Sequence, residues 1–202
     1  MNKYISSTPS PFQSELVSST ALFNFFFGDQ GSGKSTGLLI DALRNVDKSQ
    51  YNAIIFKRNR KELQCGVEQA KRWFEKHNDV WFEESASRFN FPSKAQLRFC
   101  VMDSMDEACR HAGAIYGFME FDEIPDIEPY GIEYLCSRTR VPQSWGFNPK
   151  VVFADRKKPE KGWKKEMFEG KDAKRIVADR YVDFSLLCYS LQLDSEFEGR
   201  MV

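Results

Sequence analysis

The sequence contains no C-x-x-C pair, only two histidines, and no apolar run near the ~20 residues that a membrane helix needs. Its cysteines, Cys65, Cys100, Cys109, Cys136 and Cys188, are odd in number and widely scattered. That speaks against a disulfide scaffold or a zinc ribbon and for a reducing compartment. His77 and His111 are too few for a histidine-rich metal site, and His111 is expected to be structural. The first nineteen residues are polar and carry no signal-peptide pattern. Net charge is missing too: 29 basic and 29 acidic residues cancel, so the whole-chain charge selects no partner. What abounds is phenylalanine, 18 of 202 residues in a chain that is 42% hydrophobic. Such a chain builds a core rather than staying disordered, and its length favours a single domain.

Short apolar runs alternate with helix-like stretches. Residues 22–27, 53–56, 117–121, 150–154 and 175–178 read as strands, and 88–91 with 96–102 as a hairpin around Pro92-Ser93. Residues 34–45, 60–77, the region 127–138, and 184–193 read as helices. In the second of these, Leu63, Val67, Ala70 and Phe74 recur at helical spacing. This alternation predicts an α/β fold with a mostly parallel central sheet flanked by helices. The first 20 residues, rich in Ser, Thr and Pro, are expected to run over the surface.

The strongest motif is Gly28-Asp-Gln-Gly-Ser-Gly-Lys34-Ser35, which fits G-x-x-x-x-G-K-[ST] between a Phe-rich strand and an amphipathic helix. Glycines let the backbone wrap a phosphate chain with its N–H groups inward, and the following helix N-terminus favours the anion. Gly28, Gln30, Gly31, Ser32, Gly33, Lys34, Ser35 and Thr36 are the candidate nucleotide-binding residues. Lys34 is expected on the β- and γ-phosphates of ATP, and the Ser35 hydroxyl on Mg²⁺. The second motif is the apolar run 117–121 ending in Asp122-Glu123. Asp122 is the candidate second Mg²⁺ ligand, and Glu123 the candidate base that polarises water for attack on the γ-phosphate. Glu120 interrupts this run, which suggests a partly polar strand face or an edge position. The plainer reading of the pair is a solvated acidic turn.

Segments 9–13, 28–35, 56–63, 109–123 and 134–140, in that order, resemble the ATPase domain of phage large terminases. The resemblance implies a P-loop NTPase of the additional-strand, catalytic-Glu class, with Gln13 contacting adenine. It implies an ATP- and Mg²⁺-dependent motor that drives double-stranded DNA into a procapsid, in the host cytoplasm. The implied partners are the portal and the small terminase subunit. A homo-oligomeric ring is implied when active, a monomer in isolation. The family's C-terminal nuclease domain would begin where this chain ends, so residues 1–202 are expected to form one ATPase domain with a 1–20 N-terminal segment. Two features depart from the family. The loop carries no arginine, with Gln30 or its neighbours at that place. After strand 150–154 the expected Thr/Ser-Gly-Asn-Pro turn is replaced by Asp155-Arg156-Lys157-Lys158-Pro159, leaving Asp155 as the candidate γ-phosphate sensor.

Motors of this chemistry place an arginine on the developing transition-state charge. Arg138 and Arg140 are the first candidates, followed by Arg58 and Arg60. Residues 155–175 hold nine Lys/Arg against five Asp/Glu, with Trp163 and Phe168 interleaved, a composition suited to a DNA backbone or to an exposed helix. Two other functions fit the loop: a nucleotide-dependent assembly or regulatory module, and a P-loop kinase. The kinase reading leaves Glu123 without a task.

Overall fold

The computed structural model describes residues 2–123, 129–157, 165, 169, 174–177 and 180–182. Helix α1 (Pro11–Ser18) precedes β1 (Phe23–Phe27), α2 (Lys34–Ala42), β2 (Asn52–Lys57) and α3 (Arg60–Phe74). Then come β3 (Trp81–Glu83), β4 (Arg88–Asn90), β5 (Gln96–Val101), α4 (Met105–Cys109), β6 (Phe118–Asp122) and α5 (Pro129–Cys136). The last elements are β7 (Lys150–Asp155), β8 (Lys174–Val177) and β9 (Arg180–Val182).

The strands form one sheet in the order β3-β4-β5-β2-β6-β7-β1-β8-β9. Neighbours from β5 to β8 pair in parallel, and antiparallel partners close both edges. Parallel pairing requires long crossovers, and helical crossovers cover both faces of the sheet. Accordingly β1 and β6 are buried along their whole length. Helices α2 and α3 pack on one face against Phe26, Ile55 and Phe99. Helices α4 and α5 pack on the other against Phe56, Met119 and Phe121. On that second face four phenylalanines lie in register across four strands. Phe56 stacks on Phe121 at 5.2 Å, Phe121 on Phe153 at 5.1 Å, and Phe153 on Phe25 at 5.1 Å. The spacing matches the ~4.8 Å between neighbouring strands, so each ring rests on the next.

The expected α/β architecture is the observed one. Three expectations need correction. The N-terminal segment does not merely run over the surface: Tyr4, Gln13 and Leu16 are buried, and α1 packs against α2. Glu120 lies neither at an edge nor on a polar face, because β6 is central and the residue is fully buried. Helices α2 and α3 stop at Ala42 and Phe74, short of the expected 45 and 77. Elements β3, α4 and β9 were not expected, since each spans only three to five residues and shows no readable period. The expected helix 184–193 and most of the basic segment 155–175 lie outside the described residues. No helix among the described residues is long and apolar enough to cross a membrane.

Candidate nucleotide site

Four parallel strands, β2, β6, β7 and β1, deliver functional side chains at their C-terminal ends, where open α/β sheets bind ligands. The loop leaves β1 with Gly28 N donating to Asp155 O, so its first turn is tied to the end of β7. Gly31 and Gly33 both sit at φ +84°, in the left-handed region that glycine alone enters without strain. A side chain at Gly33 would also strike Gln13 Nε2 at 2.8 Å. Lys34 opens α2 and folds back, donating to the carbonyls of Gly28 and Asp29. Ser35 is exposed at the helix start, and Thr36 accepts from Gln69 Nε2 at 3.3 Å.

Opposite the loop, Lys57 at the end of β2 is paired in register with Asp122 at the end of β6, and its ammonium donates to the Asp122 carboxylate in a buried ion pair. Burial opposes the charge on Lys57, but the Asp122 carboxylate, with Glu120 behind it, raises the lysine pKa, so it stays protonated. Below them burial pushes the Glu120 carboxyl well above the usual range, and neither of its oxygens has a hydrogen-bond partner. Glu123 follows at φ +48°, its N–H donating to Ala154 O at 2.9 Å. Its carboxylate accepts from Arg156 Nε at 2.9 and 3.0 Å. A cavity of about 400 Å³ joins these groups, lined by Gln30, Lys34, Ser35, Lys57, Glu123 and Arg156 among others. The donor set on offer, a carboxylate and a hydroxyl, suits a hard divalent cation. The buried ammonium of Lys57 shows that the pocket around Asp122 accommodates positive charge.

Of the residues singled out from sequence, the loop, Asp122 and Glu123 meet in this cleft. Gln13 does not line it. Its amide nitrogen donates to Gly33 O at 2.7 Å and its amide oxygen accepts from Ser10 N at 2.8 Å. The amide nitrogen of the expected adenine contact thus braces the loop, and its amide oxygen caps the start of α1. Arg138 and Arg140 also lie elsewhere. Arg138 O accepts from Tyr116 N, just before β6 begins, at the opposite end of the strand from Asp122. The strand between is roughly 13 Å long, and the Arg138 guanidinium rests on Ser137 and the Tyr134 ring. Arg58 pairs with Glu62 and, with Arg60, lines a neighbouring groove. Asp155 accepts from the backbone of Arg156 and does not line the cleft. Arg156 and Lys57 were not singled out by the sequence reading. The signal was present in their positions, one residue past one strand and the last of another.

A second cluster joins Cys100, Glu107 and His111, whose ligand atoms lie within 4.8 Å of one another. His111 Nδ1 meets the Tyr116 hydroxyl at 2.7 Å. Burial, reinforced by the charge of Arg98, lowers the His111 pKa and keeps the ring neutral. This is a packed polar network beside a cation. The four described cysteines are all free.

No family model matches the sequence, and no curated protein does. Solved structures match in fold. The large terminase ATPase domain of Thermus phage P74-26 superposes with a TM-score of 0.57, over 82% of this chain and 71% of that one, at 18% identity. The large terminase of a thermophilic bacteriophage, in complex with ADP, gives 0.61 over 94% of this chain and 49% of that one, at 16% identity. The large terminase of bacteriophage HK97 gives 0.55 over 74% and 33%, at 12% identity. The fold is thus that of the P-loop ATPase domains of phage large terminases.

Proposed function

We propose that this chain is the ATP-hydrolysing domain of a viral DNA-packaging motor. The observation that carries the reading is the convergence of phosphate loop, acidic pair and cations on one cleft at the ends of four adjacent strands. Loop N–H groups and Lys34 bind the phosphates, Lys34 exchanging its carbonyl partners for phosphate oxygens. Ser35 and Asp122 would hold Mg²⁺, which when bound would neutralise charge on the phosphates. Lys57 holds the Asp122 carboxylate in place through their buried ion pair. Glu123 accepts a proton from the attacking water. On the family resemblance of its motifs, the translocated cargo would be double-stranded DNA, with the portal and small terminase subunit as partners.

The test is ATP turnover by the chain with and without double-stranded DNA. Lys34→Ala should weaken triphosphate binding, and Glu123→Gln should retain binding while lowering turnover about 10²-fold or more. Turnover close to wild type in Glu123→Gln would remove Glu123 from the reaction. Nucleotide affinity unchanged in Lys34→Ala would reduce the loop to a turn.

A further inference from the structure

Strand β7 lies between β6 and β1, so the turn leaving it is bracketed by both halves of the site. Asp155 O holds Gly28 N on the loop side at 3.3 Å, and Ala154 O holds Glu123 N on the acidic side at 2.9 Å. Arg156, the first residue past the strand, emerges between them. Among the described residues no other arginine lines the cleft, and the loop itself contains none. The Arg156 side chain is 52% exposed, so nothing packs it into one rotamer. Glu123 has its backbone in the left-handed region, which a glutamate enters only under local constraint. That constraint is the strand-end hydrogen bond, and the result is a carboxylate with both oxygens taken by one guanidinium N–H.

A half-exposed carboxylate–guanidinium pair is weak and readily exchanged. The terminal phosphate of a nucleoside triphosphate offers a guanidinium more negative charge and a bidentate face. A diphosphate lacks that group. We infer that Arg156 is a positioning residue sensitive to the γ-phosphate: it restrains Glu123 while no triphosphate is bound, and moves to the γ-phosphate when one enters, releasing the carboxylate to meet water. This rests on the ATPase reading of the cleft. The turn where a γ-phosphate sensor was expected thus acts through Arg156 and not Asp155. The device couples the readiness of the base to the presence of its substrate and leaves it restrained after the γ-phosphate departs.

Two measurements on the full chain test this without relying on turnover. The first is calorimetric affinity for ADP and for a non-hydrolysable ATP analogue. Arg156→Ala should weaken the analogue about 10- to 100-fold, the range for a hydrogen bond to a charged group, and leave ADP unchanged. Arg156→Lys should recover part of the loss, because it keeps the charge but not the fork. The second is the Arg156 Nε–H proton signal, assigned by its loss in Arg156→Lys. In wild type without nucleotide it should be shifted and slow to exchange, and Glu123→Ala, which removes the acceptor, should abolish that protection. The analogue should move the signal, and ADP should leave it in place. An analogue-to-ADP affinity ratio unchanged in Arg156→Ala, or a signal that the analogue does not move, overturns the inference while the ATPase reading stands. If wild type binds neither nucleotide, both fall.

Discussion

His111 is 2% exposed, and only one of its ring nitrogens is engaged. Its Nε2 stands 3.8 Å from Glu107, beyond hydrogen-bond reach. The folded protein therefore resists charging it, while the unfolded chain charges it near pH 6.5. A depressed folded pKa gives stability that is present above the unfolded value and lost as pH falls through the folded one. Thermal midpoints measured at pH 7.5 and pH 5 should thus fall toward acid, and His111→Gln should show a shallower fall. Parallel slopes for wild type and variant would mean that other groups govern the acid limb. Burial raises the neighbouring thiol of Cys100 to about 11 and the Tyr116 hydroxyl to about 12. Neither titrates in this window, so the difference isolates the imidazole.

Helix α1 is held by a buried clasp. Lys150 at the start of β7 donates to Leu16 O and sits 2.7 Å from the Asp41 carboxylate on α2. Burial pushes Asp41 upward, and the charge of Lys150 opposes that shift and keeps the pair together. Breaking such a pair leaves an uncompensated buried charge. Asp41→Ala should cost about 3–5 kcal/mol in denaturant unfolding, and Asp41→Leu with Lys150→Met should recover part of it. A loss below ~1 kcal/mol would mean that water reaches the clasp. This clasp explains why the N-terminal segment was misread. Its polar composition spoke for the surface, and nothing local to residues 1–20 records a partner 134 positions away. Strands β1, β2, β6 and β7 were legible because burial on both faces leaves continuous apolar runs. The loop and acidic pair were legible for a related reason, since each follows such a run directly. Arg156 was not, because a lone arginine in a basic stretch looks like any solvated charge until the register places it beside Glu123.

At the scale of the whole molecule, Arg138 and Arg140 pose a constraint. Both follow α5 at the base of the sheet, so neither reaches the cleft of its own chain. If either is the proposed arginine finger, it acts on a neighbouring subunit. An arginine finger is worth about 10³–10⁵ in rate, so an isolated subunit should turn over slowly. Specific activity should then climb faster than linearly with protein concentration. Mixing the Arg138→Ala, Arg140→Ala double variant with Glu123→Gln should restore activity, one chain supplying the base and the other the finger. Activity per subunit flat with concentration, together with failure to complement, would show that the reaction is completed within one chain.

The in-register phenylalanine stack sets a limit on how such a machine can move. Phe25, Phe153, Phe121 and Phe56 belong to the four strands whose tips carry the phosphate loop, Arg156, the acidic pair and Lys57. Sliding any one strand by a residue would turn its ring to the opposite face and unseat its neighbours. On the proposed ATPase reading the sheet is an anvil: it should keep its register through the cycle, leaving any stroke to the turns at the strand tips. Amide exchange in these four strands should be indifferent to which nucleotide is bound, while the turns at their tips respond.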